Sequence, residues 1–272
     1  MKLKEEAIGA ADIKEYLEGV SDFAFEMEVL SELERLGFKC EHGGTYTDPV
    51  TGKARQFDIR ARKSQGRACL VLCAECKNIR DFYPLVVHRV PRRTEEAFHT
   101  VIRYEPLRGS TVPPVTDLHI LKQAEGLYPE GQPVGKRIDQ VGRAPGQPGE
   151  IVSSDRDVFE KVAQAIASAQ DVTLDLVRQR DRAEYVVLPV TVIPDGRLWV
   201  ADYEPGGKRL GEPRQEPGTQ LFVGQAWTLD LPYRPFRLSH LEIATFSHLA
   251  ALVETRAALT SEAVFPPPPP QD

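Results

Sequence analysis

Apolar residues recur at helical spacing through SDFAFEMEVLSELERL, residues 21–36, and the run stops at Gly37. That pattern predicts an amphipathic helix with a glycine stop. A shorter helix is expected over 11–20. The period then changes. FKCEHGGTYTD reads as a strand interrupted by Gly43-Gly44, and DPVTGK (48–53) reads as a turn. ARQFDIRARK (54–63) alternates, with Phe57, Ile59 and Ala61 on one face and Asp58, Arg60 and Arg62 on the other. SQGR is a second turn. ACLVLCAECK then runs to Lys77 as a strand apolar enough to be buried.

The same reading predicts a strand over 84–90 (PLVVHRV) and a helix over 92–104 (RRTEEAFHTVIRY). Residues 105–150 hold seven prolines and seven glycines, which predicts an irregular insertion. A helix follows at about 155–178, opened by Ser153-Ser154-Asp155 as caps. EYVVLPVTVI, the turn PDG and RLWVADYE form an expected hairpin over 184–204. A strand at 240–246 and a helix capped by Ser247 come last. The tail VFPPPPPQD (264–272) is expected to be extended and disordered. The chain thus divides into 1–104, the insertion 105–150, a second part 151–263, and the tail.

Composition narrows the picture. A net charge of −6 excludes a uniformly basic nucleic-acid coat. Between Lys53 and Arg93, however, eleven Lys/Arg face only three acids, enough to hold a polyanion locally or to form a solvated strand face. No apolar run reaches the ~18 residues of a membrane span. The start, MKLKEEAIGAADIKEYLEG, lacks the apolar core of a signal peptide. A cytoplasmic protein with reduced thiols is therefore expected. Cys40, Cys69, Cys73 and Cys76 lack paired zinc spacing and read as small buried hydrophobes.

Chemistry enters at the end of the apolar strand. Glu75 and Lys77 are two apart, so they leave one face together. An acid, a spacer and a lysine recur by chance about once in 200–300 residues, so the setting must carry the weight. Asp58 lies on the polar face of the neighbouring strand. Glu26 is the anomaly of the first long helix. Advancing about 100° per residue from it, Leu30 falls near +40°, Leu33 near −20° and Val29 near −60°. That places a carboxylate at the centre of an apolar face, which is costly unless it is paired or bound to metal. Each carboxylate taken singly reads as a structural ion-pair partner; three carboxylates and a lysine on the first core elements favour a site. His88, His99 and His119 have no ligand spacing, and no phosphate-binding glycine loop occurs.

Phe25-Glu26…Val29 with Leu33…Leu36-Gly37-Phe38, then DPVTGKARQFDIRA, then AECKN resemble the PD-(D/E)xK nuclease superfamily over about residues 21–80. The resemblance implies a restriction-endonuclease-like α/β core, αβββαβ, with a mixed sheet flanked by helices. Here that core would carry the loop-rich insertion and a C-terminal strand–helix extension. It implies Glu26, Asp58, Glu75 and Lys77 as catalytic residues. Magnesium (or manganese) would be held by Asp58, Glu75 and the main-chain carbonyl of Cys76, with Glu26 reaching it through water. The implied function is hydrolysis of phosphodiester bonds in nucleic acid, DNA foremost. A homodimer, or a defence or repair partner, is a further expectation. Arg60, Arg62, Arg80, Arg89, Arg92 and Arg93 are candidate phosphate contacts. Gln164, on the helix after the third strand, reads as an exposed polar residue. Position 56 is Gln where an acid is frequent in such hairpins. The alternatives are a catalytically inactive nucleic-acid-binding module of the same fold and a protein whose buried charges only fix its structure.

Overall fold

The helix expected over 21–36 forms as α2 (Phe23–Arg35), after a short α1 (Ala10–Gly19). Gly37 ends it at φ 84, and Phe38 N–H donates back to the Leu33 carbonyl. This left-handed stop is one that only glycine takes cheaply. These coordinates come from a computed structural model that describes residues 6–49, 51–105, 115–122, 127–144, 149–154, 156–179, 183–228 and 235–264. The proline tail beyond 264 lies outside them.

Next come β1 (Lys39–His42), the small hairpin β2 (Thr45–Thr47) and β3 (Ala54–Gln56), then β4 (Ile59–Gln65) and β5 (Ala68–Cys76). Strand β1 pairs antiparallel with β4, and β4 with β5, Ile59 facing Ala74. All nine residues of β5 are buried. Its alternation sorts them into two cores. Cys69, Val71 and Cys73 join one cluster; Leu70, Leu72, Ala74 and Cys76 join the other, with Phe25, Val29 and Leu33 of α2.

After β6 (Leu85–Pro91) the expected helix over 92–104 does not form. A single 3₁₀ turn at Thr94–Glu96 leads into β7 (Phe98–Glu105). The β-branched run Thr100-Val101-Ile102 suits a strand, and β7 pairs in full register with β8 (Val115–Lys122). That partner lies inside the segment expected to be irregular. The same segment supplies β9 (Pro133–Arg143). Gly135 is not a loop former there. A Cβ would come within 2.7 Å of Val87 and 3.0 Å of the Gln220 carbonyl, so the strands can approach only over glycine.

The rest of the chain is β10 (Ile151–Ser154), α3 (Arg156–Gln179), β11 (Glu184–Ile193), β12 (Leu198–Tyr203), β13 (Arg209–Gln215), β14 (Gly218–Trp227), β15 (Phe236–Thr245) and α4 (Leu249–Val264). The expected hairpin over 184–204 separates: β11 lies parallel to β5 and β15, whereas β12 pairs with β6 and β13. Pro189 sits in the middle of buried β11 without breaking it. On the edge away from β5, pairing with β7 ends at Val186 and pairing with β15 starts at Val190. The missing N–H falls in that gap.

The result is an α/β fold with one mixed sheet of thirteen strands, order β1-β4-β5-β11-β15-β14-β9-β6-β12-β13, with β7, β8 and β10 branching from it. Helix α3 covers one face of β5 and β11; α2 and α4 cover the other. The sheet is larger than the αβββαβ core expected from the sequence.

Candidate functional site

The antiparallel register that pairs Ile59 with Ala74 brings Asp58 and Glu75 together at the next position. Both fall on the α3 side of the sheet, because Cys69, Val71 and Cys73 share their parity. Asp58 N–H donates to Glu75 Oε1 at 3.3 Å, and Cys76 N–H donates to Asp58 Oδ2 at 2.7 Å. The backbone of Cys76 is therefore part of the site. Glu75 is only 1% exposed.

The cation on this pair comes from α3. Lys161 Nζ lies 2.7 Å from Asp58 Oδ2 and 3.5 Å from Glu75 Oε2. Burial pulls the ammonium's pKa down, but the charges of Asp58 and Glu75 and the bond to Asp58 outweigh it and hold the pKa above its ordinary value. Two to three turns further along α3, Ser168 and Asp171 bind Arg60, two residues beyond Asp58. Helix and strand thus meet along a polar seam. The sequence marks Lys161 only weakly. The only signal is that Lys161 and Ser168 are seven apart and border the buried Val162, Ala165 and Ala169. Gln164, expected to be exposed, is partly buried, and its carbonyl accepts from Tyr46 Oη at 3.5 Å.

Lys77 sits elsewhere. Its ammonium is 3.1 Å from Asp22 Oδ2, and Asp22 Oδ1 accepts the Asn78 N–H. This ties the end of β5 to the start of α2. Glu26 flanks the buried stripe of α2 and does not centre it, because Phe25 shifts the stripe towards Val29 and Leu33. Its carboxylate lies 3.4 Å from His42 Nε2. Burial and the charge of Asp58 push the Glu26 pKa up. The same two causes, in the same order, push Glu75 well above the ordinary range. Two carboxylates that resist ionisation beside a third, with one ammonium on them, mark a site short of positive charge.

That shortage is the test of whether a divalent cation fits. Magnesium is commonly bound by one or two carboxylates and keeps several waters, and Asp58 with Glu75 supplies that set. Among the described residues no three His, Cys, Asp or Glu side chains close into a ready-made cage. Lys161 already shares the oxygens a cation would use. The set suits an open magnesium site and is a poor match to a closed structural one.

The electrostatics predict a pH dependence. Folded Glu75 holds its proton more tightly than the unfolded chain does. The contribution of Glu75 to stability is therefore fully present below the ordinary carboxylate range near pH ~4.3 and is lost as pH rises through the raised folded value. With chelator present, the wild-type melting temperature should fall across that range relative to Glu75→Gln. Parallel curves for the two proteins would remove the raised pKa.

The candidate phosphate-binding arginines separate. Arg60, Arg89 and Arg92 are 8%, 4% and 1% exposed. Arg60 stacks on Phe57, 4.1 Å from the ring centre, as well as binding α3. Arg89 is paired with Asp202 at 2.7 Å and Glu216 at 2.9 Å. Arg92 donates to His240, Gln220 and the Pro129 carbonyl. Arg62 is half-buried, and Arg93 bonds Glu95 and Glu96 from the surface. Arg80 is exposed. Arg89→Ala should therefore destabilise the fold by about 2–3 kcal/mol, because a buried guanidinium with four bonds to carboxylates is lost while Arg214 stays on both Asp202 and Glu216. That is a fall in melting temperature of roughly 5–10 °C for a chain of this size, read by calorimetry. A surface phosphate contact would instead leave the melting temperature unchanged.

The chain matches no known protein family, no curated protein and no solved structure in the comparisons. No helix among the described residues is long and apolar enough to cross a membrane.

Proposed function

We propose that the protein is a metal-dependent nuclease that hydrolyses phosphodiester bonds, with DNA as substrate. The observation that carries this reading is the seating of Asp58 and Glu75 on one face of the sheet, bridged by the Lys161 ammonium, with Glu26 near enough that the Asp58 charge, after burial, raises its pKa. The chain order supports it. Elements α2, β1, β4, β5, α3 and β11 follow αβββαβ, three antiparallel strands then a fourth parallel to the third. On this reading residues 77–155 are an insertion before the core's second helix, and β12 to α4 are the extension.

Asp58 and Glu75, with the Cys76 carbonyl, would hold magnesium or manganese, and Glu26 would hold an attendant water. When bound, such an ion lowers the pKa of water and neutralises phosphate charge. The protein's own residues do the rest. Lys161 neutralises charge at the Asp58 and Glu75 oxygens. Lys77, paired with Asp22, holds the end of β5 against the start of α2. His42 keeps Glu26 oriented. A cytoplasmic setting, a homodimer, or a defence or repair partner belongs to the same proposal.

The test uses supercoiled, linear and single-stranded DNA and RNA with magnesium, manganese or chelator. Cleavage that needs metal supports the reading; none on any substrate overturns it. Binding gives a second readout. Magnesium at about 100 times its dissociation constant adds ~2.7 kcal/mol of stability, a rise of roughly 5–10 °C in melting temperature. Asp58→Ala should abolish that rise. The second reading, an inactive nucleic-acid-binding module, draws on Lys161 itself. An ammonium already seated on both carboxylates partly satisfies them without metal. That reading predicts metal-independent binding and no melting shift.

A further inference from the structure

Among the described residues thirteen large hydrophobic side chains are exposed, and twelve lie on three segments: residues 8–27, 82–83 and 151–159. These same segments lead into, or directly follow, the site's charged groups: Asp22 and Glu26, then Lys77, then Lys161. The three segments meet in one rim, where Arg80 lies against Gly19 and Tyr83 against Gly142, the register partner of Val152.

The best-defined part of the rim follows β5. The chain turns after Lys77, with Tyr83 N–H bonded to the Arg80 carbonyl at 3.0 Å. Phe82 is 57% exposed and Tyr83 45%. Their rings stand edge to face, with centroids 4.6 Å apart. The Arg80 guanidinium lies 5.7 Å from the Phe82 ring centre. Two glycines seat this group. Arg80 rests on Gly19 at the end of α1, and Tyr83 lies on Gly142 of β9; a Cβ at either position would collide with the side chain above it. Val152, another exposed residue, pairs with Gly142. The Gln140 side chain fixes the Tyr83 carbonyl at 3.1 Å. Asp81, between Arg80 and Phe82, is paired with Arg197. Its charge is therefore answered without using Arg80.

Exposed aromatic rings held in place beside a cation are the parts of a base-stacking platform: the rings take the face of a base and the cation takes its phosphate. Duplex bases are already stacked on one another and offer no free face along the helix. We propose that Arg80, Phe82 and Tyr83 bind an unpaired nucleotide next to the site, so that the preferred substrate is single-stranded or carries an unpaired tail. The inference deepens the nuclease reading and rests on it.

The test is binding of fluorescent oligonucleotides in chelator: a single strand, a blunt duplex, and the same duplex with an unpaired tail. Wild type should prefer the strand and the tailed duplex. Phe82→Ala and Tyr83→Ala should each weaken those two about tenfold, the loss of one base–aromatic stack, and leave the blunt duplex unchanged. Phe82→Trp should keep the preference. Equal loss on all three ligands, or no loss, overturns the proposal. So does a fall in sedimenting mass on Phe82→Ala, which would make the rim an interface between copies of this chain. Cleavage is measured in parallel. If Asp58→Ala abolishes it while wild type shows no tail preference, this inference alone fails. If Asp58→Ala cleaves normally, the nuclease reading fails whatever the tails do.

Discussion

Asp58→Ala and Glu75→Ala should each lower metal-dependent cleavage by about a thousandfold or more, with the fold retained. A thousandfold corresponds to ~4 kcal/mol of transition-state stabilisation, within the several kcal/mol a metal centre supplies. These two side chains are where that energy would be delivered, because both are anchored by the backbone: Cys76 N–H holds Asp58, and Asp58 N–H holds Glu75. Retention of the fold follows from the same geometry. Glu75 is buried beside another carboxylate, and its raised pKa means that its ionised form costs stability at neutral pH. Glu75→Gln should therefore melt no lower than wild type in chelator while losing cleavage. That separates chemistry from folding. Single-turnover rates on end-labelled DNA, beside circular dichroism melts, measure both. An Asp58→Ala protein that cuts at the wild-type rate would remove the metal site from the mechanism.

The strand half of this site was legible because it depends on local rules. Alternation along 54–63 puts Asp58 on the polar face, and the short turn between the strands sets the register that pairs it with Glu75; the two-residue spacing of Glu75 and Lys77 misled, because β5 ends at Cys76 and Lys77 turns to Asp22. What failed depended on distant partners. Residues 92–104 read as a helix in the sequence, but β8 recruits Phe98–Glu105 into the sheet. Prolines and glycines made 105–150 look irregular, whereas Pro133 opens β9 and Gly135 lets strands approach. Arginine counting treated Arg60, Arg89 and Arg92 as surface, although each has a carboxylate or carbonyl from more than 30 residues away waiting inside. Lys161 was invisible for the same reason. Eighty-six residues separate it from Glu75, and one lysine on an amphipathic helix carries no local mark.

Lys161→Ala is the variant that divides function from structure. In chelator it should destabilise the protein by about 3–5 kcal/mol, because it leaves Asp58 and Glu75 side by side with no cation. Magnesium should restore much of that loss and should bind more tightly than to wild type, since the ammonium no longer shares its oxygens. Cleavage should still fall, by about a hundredfold or more, because the fixed positive charge is gone. Lys77→Ala should cost only about 1 kcal/mol of stability, since its pair with Asp22 is partly solvated, with side-chain exposures of 23% and 15%. A fall in cleavage larger than that loss of stability explains would place the Lys77 charge in the chemistry. A Lys161→Ala protein destabilised to the same extent with and without magnesium would mean that the carboxylates take no metal. The ammonium would then be their permanent partner, and the charged pair at the end of β5 would be a structural clamp between sheet and helix.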